Sequence, residues 1–260
     1  MPSSEPPARP CQTVARISSM PAAAKPRTAA RRTGAREQAA QATRDSILKA
    51  ATKVFARYGY EGGSVEKISK AAKSFDRMIY YYFGSKEGLF IEVLEAIYRR
   101  MNEAESRLAL DIDAPVEALQ AVIRFVVGYY RKNPEFVTLL NTENLHKGRH
   151  IAKSMRAREY SSPAIAVIGQ VLASGQAQGL FRQDVAARDI YLLIAATGYF
   201  YMSNRHTLSA FLGEDLESAQ ALAHWERFVI DSVLRTVAPG PCLPRAQPAD
   251  SIHPPRAEAP

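Results

Sequence analysis

Cysteine is scarce in this 260-residue chain: Cys11 and Cys242 are the only two, and both lie in proline-rich ends. That scarcity excludes a disulfide framework and a cysteine-based metal cluster, and it fits a reducing compartment. Long hydrophobic runs are also missing. The longest, about 190–202, falls short of the ~20 residues that a membrane helix needs. The N-terminus lacks the apolar core of a secretory signal. No membrane partner is expected, and a cytoplasmic location is. The sequence has no G-x-G-x-x-G, no phosphate-binding P-loop, no G-x-S-x-G and no H-E-x-x-H, so neither an enzyme nor a bound cofactor is expected. Ser46-Ile47-Leu48-Lys49 matches S-x-x-K, but the motifs that accompany it in acyl-enzymes are absent, which makes the match chance. No stretch alternates with period two, so the expected fold is all-α.

The charge that is present is unevenly placed. The formal net charge is +8. At the front, Arg9, Arg16, Lys25, Arg27, Arg31, Arg32 and Arg36 face Glu5 alone, whereas residues 91–238 are nearly balanced. A basic front on a near-neutral body suggests a polyanionic partner at that end, against the plain alternative of a solvated tail. Residues 1–38 read as a disordered basic arm, rich in Pro, Ala, Ser and Arg. Their Arg-rich, acid-poor start is also that of a transit peptide, although no amphipathic helix accompanies it. The arm is long enough to enter a DNA minor groove, and Met20 is a possible alternative start. From Pro239 the chain is again proline-rich and is expected to be a disordered tail, 239–260.

Between the two ends, apolar spacing predicts helices throughout. The first, about 39–58, carries Ile47, Leu48, Ala51, Val54 and Phe55 on one stripe and ends at Gly59. Ser64 caps a second helix whose Val65, Ile68, Ala71 and Ala72 face inward. Lys73-Ser74-Phe75 forms a turn, and a third helix spans about 76–83. Met78, Ile79 and Phe83 point to its core side, leaving Arg77, Tyr81 and Tyr82 outward and Tyr80 at the boundary. Ser85 caps a fourth helix reaching about 110. The body helices are expected at 113–133, 136–145, 151–160, 163–178, 187–205 and 216–237.

Two helices joined by a tight turn, the second carrying Tyr80, Tyr81 and Tyr82 beside Arg77, read as a helix-turn-helix over 64–83. TRDSILKAATKVFARYGY, then SVEKISKAA, then IYYYFGSKEGLF, together resemble the N-terminal domain of the TetR/AcrR family of bacterial transcription regulators. The resemblance covers Thr43–Tyr98, within a DNA-binding domain taken as 39–98. It implies that Ser64, Tyr80 and Lys86 meet backbone phosphate and that Asp76, Arg77, Tyr81 and Tyr82 face the major groove, with Lys67 a further DNA-binding residue. Physical chemistry agrees: helix N-termini and lysine bind phosphate, and arginine can read guanine by a bidentate bond. The turn departs from the family pattern. Lys73 stands where glycine is usual and Phe75 where a small cap is usual. Asp76 would repel a polyanion unless it caps the helix or accepts from a cytosine amine.

The resemblance further implies a homodimer, paired through the last two helices of the body, 99–238, with a small-molecule cavity in each body. Tyr191, Leu192, Ala195, Tyr199, Leu222, Trp225 and Val229 are the expected interface residues. Tyr98, Met101, Phe125, Tyr129, Phe136, Met155, Tyr199 and Met202 are candidates for the cavity wall, with Glu143, Asn144 and His206 as its polar groups. His146 and His150, four residues apart and with Glu143 upstream, have metal-pair spacing, but Gly148 between them argues for a loop or a satisfied polar cluster, so no metal is expected. The expected function is that of a ligand-released repressor on a near-palindromic operator of double-stranded DNA, with recognition helices about 34–36 Å apart or a multiple of that. The alternative is a ligand-binding or adaptor protein of the same fold without specific DNA recognition.

Overall fold

The computed structural model describes residues 27–156 and 163–240, and every regular element among them is helical. In order these are α1 (Arg27–Gly62), α2 (Val65–Ala72), α3 (Asp76–Phe83), α4 (Lys86–Glu105), α5 (Pro115–Lys132), α6 (Pro134–Leu145), a 3-10 turn (Ile151–Lys153), α7 (Pro163–Ala177), α8 (Ala187–Leu212) and α9 (Ala219–Val237). The chain divides into two units between Ala42 and Thr43. In the first unit the described residues are helical, where a disordered arm through residue 38 is the expectation from sequence. Alanine, arginine, glutamine and glutamate dominate this stretch, and all four are strong helix formers. Residues 1–26, 157–162 and 241–260, with both cysteines, lie outside the described residues.

The second unit holds everything from Thr43 onward. Its head is built on the α1 stripe: Ile47, Ala51 and Phe55 are fully buried against Ile68, Ile79, Leu89, Phe90 and Val93. The branched aliphatic and phenylalanine side chains among these stabilise the fold by roughly 1.5–3 kcal/mol each when removed from water. Gly59 interrupts α1 with φ 68° and ψ −179°, a left-handed region that favours glycine. The kink turns Tyr60 back over the stripe, where its ring stacks 6.1 Å from Phe55 and lies 5.0 Å from Phe90. Gly63 has a different reason: a Cβ there would sit 2.5 Å from the Phe55 ring. Ser46, from the S-x-x-K match, donates its hydroxyl to the Ala72 carbonyl at 3.3 Å, a structural bond at the end of α2.

In the body, α5 packs on α7, α8 and α9. Leu119, Ile123 and Val126 of α5, Ile168 and Val171 of α7, Ile194 of α8 and Val233 of α9 form the centre. Four boundaries differ from expectation. Helix α4 stops at Glu105 rather than 110, because Ser106 closes it with a hydroxyl bond to the Glu103 carbonyl. Leu110 and Ile112 then pack on the core from a non-helical segment. Helix α8 continues to Leu212, and α9 begins only at Ala219, capped by Ser218, because Leu216 is buried in the connection. Of the helix expected at 151–160, the described part, 151–156, forms only one 3-10 turn, and 157–160 lie outside the described residues. The backbone N–H groups of His150 and Ile151 are taken by the buried Glu143 carboxylate, at 2.8 and 2.9 Å.

Candidate nucleic-acid interface

Ser64 opens α2 in extended backbone and its hydroxyl accepts the Lys67 N–H at 3.2 Å. Lys73 closes α2 in the left-handed region at φ 51°, with its N–H returned to the Lys70 carbonyl and that of Ser74 to Ser69. The glycine position of the turn is thus filled by a lysine that takes the glycine conformation. Phe75 is the N-cap of α3 and supplies no side-chain bond. Neither Ser74 nor Asp76 replaces it as a cap. The Phe75 ring is exposed, and the Arg77 guanidinium lies 5.2 Å over it.

Helix α3 buries Ile79 and Phe83. At 100° per residue Arg77 and Tyr81 point away from that face, Tyr80 and Tyr82 flank it on opposite sides, and Asp76 falls on its inner edge. The side chains follow this geometry. Tyr81 is 77% exposed and Tyr80 54%, while Tyr82 is half-buried against the core. The expectation that Tyr82 points outward and Tyr80 straddles the boundary is therefore reversed. Asp76 is corrected too. Its carboxylate accepts a short hydrogen bond from the Ser69 hydroxyl, which ties α3 to α2 instead of aiming a negative charge at a groove.

Two lysines flank this surface, both held by the end of α1. Lys67 donates to the Gly62 carbonyl at 2.8 Å with its ammonium 4.6 Å from the Tyr58 ring. Lys86, in the first turn of α4, donates to the Glu61 carbonyl at 3.3 Å and lies 4.6 Å from the Tyr60 ring. Each pairing is a cation–π contact. Ser64, Lys67, Arg77, Tyr80, Tyr81 and Lys86 thus ring the outer side of α2 and α3.

The body carries a cleft of about 290 Å³ between α4, α5, α6 and α8. Of the expected wall residues, Tyr98, Met101, Phe136, Asn144 and Tyr199 line it. The others stand elsewhere. Met155 is 99% exposed, Met202 is buried in the core, and His206 is exposed beside Glu217 at 3.4 Å. Phe125 and Tyr129 pack on each other, 5.8 Å between centroids, outside the lining. Glu143 faces His150 rather than the cleft. Sequence reasoning missed Asn102, Tyr130, Leu140 and Ala196, and placed Tyr191, Leu192 and Ala195 only in the dimer interface, whereas they line the cleft. No lysine, arginine, aspartate or glutamate lines it. Burial pushes the Tyr98 phenol up to about 12, with nearby Tyr191, Tyr199 and Glu143 adding to the shift, so it stays neutral.

Residues 47–93 match the family of bacterial regulatory proteins named for tetR, and residues 115–233 match the tetracyclin repressor-like C-terminal domain. The chain is 54% identical over 205 residues to the HTH-type transcriptional repressor NicS of Pseudomonas putida, covering 79% of this chain and 97% of that protein. It belongs to the TetR family. Solved structures share the fold. The transcriptional regulator SCO4942 of Streptomyces coelicolor superposes with a TM-score of 0.55 at 22% identity, over 75% of this chain and 98% of that one. A linker-substituted HlyIIR mutant superposes with a TM-score of 0.53, also at 22% identity, over 78% of this chain and 100% of that one.

On α8 and α9, Leu192, Phe200, Phe211, Leu212 and Phe228 are exposed, and Leu222 and Trp225 are partly buried. Val229, an expected interface residue, is instead shielded in the core of its own subunit. A second groove, about 610 Å³, lies beside Phe200, Leu212 and Trp225. Among the described residues no three metal-ligating side chains gather, and His150 gives its Nδ1 to Glu143 at 2.6 Å. No helix among them is long and apolar enough to cross a membrane.

Proposed function

We propose that this TetR-family regulator is a homodimeric repressor that binds a near-palindromic operator through α3 and releases it when a small molecule occupies the body cleft. The observation that carries the reading is the outer side of α2 and α3. Arg77 and Tyr81 point away from the buried face of α3, and Ser64, Lys67, Tyr80 and Lys86 surround them. Arg77 and Tyr81 are the candidates for base edges, and the others for phosphate. Tyr82 supports this surface from below, and Asp76 is spent on Ser69. Repression, rather than activation, follows the function named for the Pseudomonas relative. The cleft suits an effector because aromatic rings and two asparagine amides converge in it, as in small-molecule sites generally. The wider groove, bordered by exposed Phe200 and Leu212, suits a second copy of the chain.

The test is equilibrium binding to the gene's own upstream DNA and to scrambled DNA of equal length at several salt concentrations. The expected result is a preference of about 10³-fold or more for the upstream site, with most of it lost in Arg77→Ala or Tyr81→Ala. Equal binding to both DNAs, indifferent to these two substitutions and to a selection from genomic fragments, would overturn the reading and leave the same fold without specific recognition.

A further inference from the structure

Tyr60 touches more of the joint between head and body than any role in the head requires. Its ring lies 5.0 Å from Phe90 of the head, 4.5 Å from His150 and 5.7 Å from His146 of the body. The Lys86 ammonium sits 4.6 Å from the same ring and donates to the carbonyl of Glu61, the next residue. His150 is fully buried and is fixed from beneath by Glu143. One carboxylate oxygen takes the imidazole Nδ1 at 2.6 Å, and the other takes the N–H groups of His150 and Ile151. Arg149 to Glu61 at 3.8 Å and Lys153 to Glu87 at 2.6 Å are ion pairs across the same joint.

We propose that Tyr60 is a positioning residue for DNA binding: locked in place by His150 and Glu143, it holds Lys86 in the pose that meets backbone phosphate. The inference rests on Lys86 being a phosphate contact, as read above. A free lysine side chain is rich in rotamers that phosphate binding must freeze, and a lysine already docked on a ring loses fewer of them when it binds. The bond to Glu61 does not compete with phosphate, because an ammonium has three N–H groups and the carbonyl takes one. Lys67 has a similar ring in Tyr58, but Tyr60 also stands against the body histidines. The strength of one phosphate contact is thereby set by residues of α6 and of the turn that follows it.

The readout is the slope of log binding constant against log salt concentration, measured on the full-length protein with one duplex. It counts phosphates neutralised, at about 0.9 per contact, and a merely destabilised protein changes the active fraction without changing the slope. Lys86→Ala is expected to lower the slope by about 0.9. Tyr60→Leu is expected to lower it by a similar amount, Tyr60→Phe to restore it, and Glu143→Gln to lower it in part. Tyr60→Leu combined with Lys86→Ala should lose no more than Lys86→Ala alone. If Lys86→Ala lowers the slope and Tyr60→Leu does not, or if the two losses add in full, the proposal falls while the phosphate role of Lys86 stands. If Lys86→Ala leaves the slope unchanged, both fall. A wild-type protein that shows no preference for its upstream DNA would sink the operator reading, yet the slopes on any duplex would still decide this one.

Discussion

Lys73 and Tyr98 carry the predictions that belong to single residues. Lys73 holds the left-handed conformation at the end of α2, which costs a residue with a Cβ about 1 kcal/mol. Lys73→Gly is expected to raise the unfolding free energy by up to about 1 kcal/mol, the chain-entropy cost of glycine taking back part of the gain. Urea denaturation with an unchanged m-value would show it. Tyr98 is held neutral by burial up to about pH 12, whereas an unfolded tyrosine ionises near 10. The folded state therefore retains a proton that the unfolded state loses, and stability falls as pH rises between about 10 and 12. Tyr98→Phe should flatten that part of the stability curve and leave the curve below pH 9 unchanged in shape. Of the site residues, Ser64, Arg77 and Tyr81 were legible from spacing alone, since capping and helix angle decide them. Tyr80 and Tyr82 were not. They flank the buried face symmetrically, and only the packing of neighbouring elements picks which one sinks. Asp76 was misassigned because its partner, Ser69, lies across the turn on another helix.

The elements follow the apolar stripes where a helix has one wet side, as α1 and α5 do. They depart where a tertiary contact overrides the local pattern. The 3-10 turn after α6 is the clearest instance, because Glu143 and His150 are seven residues apart and meet only when the chain folds back. Glu143 satisfies two backbone N–H groups and one imidazole nitrogen, all buried or partly buried. Glu143→Leu would leave all three without an acceptor, at about 1–3 kcal/mol for each unpaired group. The expected result is a loss of at least 3 kcal/mol by chemical denaturation, against less than half of that for Glu143→Gln, which keeps an amide oxygen for the backbone pair. A loss below 1 kcal/mol for the leucine variant would mean that water replaces the carboxylate. On α8, aromatic and apolar residues occupy every side, so sequence periodicity could not separate the wall of the cleft from the outer face. Tyr191, Leu192 and Ala195 read as interface for that reason, and the packing of α5 and α6 against α8 puts them on the cleft.

For the whole molecule, division of labour follows from where charge and aromatic surface lie. The head displays lysine and arginine around α2 and α3. The cleft in the body is lined by uncharged side chains, and the outer sides of α8 and α9 carry exposed phenylalanines. Those phenylalanines suit the dimer that the family resemblance implies, and the chain contains its own means of watching one form. Trp225 is its single tryptophan. The indole stacks between Tyr201 at 5.0 Å and the exposed Phe228 at 5.4 Å, with its N–H 3.4 Å from the Thr197 carbonyl. Fluorescence excited at the red edge of absorption therefore comes from one site, at the surface where a second copy would dock. Dilution through the dissociation range should shift this emission to longer wavelength as water reaches the ring, and Phe228→Asp should produce the shifted spectrum at every concentration. An emission maximum that ignores dilution, while sedimentation shows dimers separating, would place the contact between subunits on some other face.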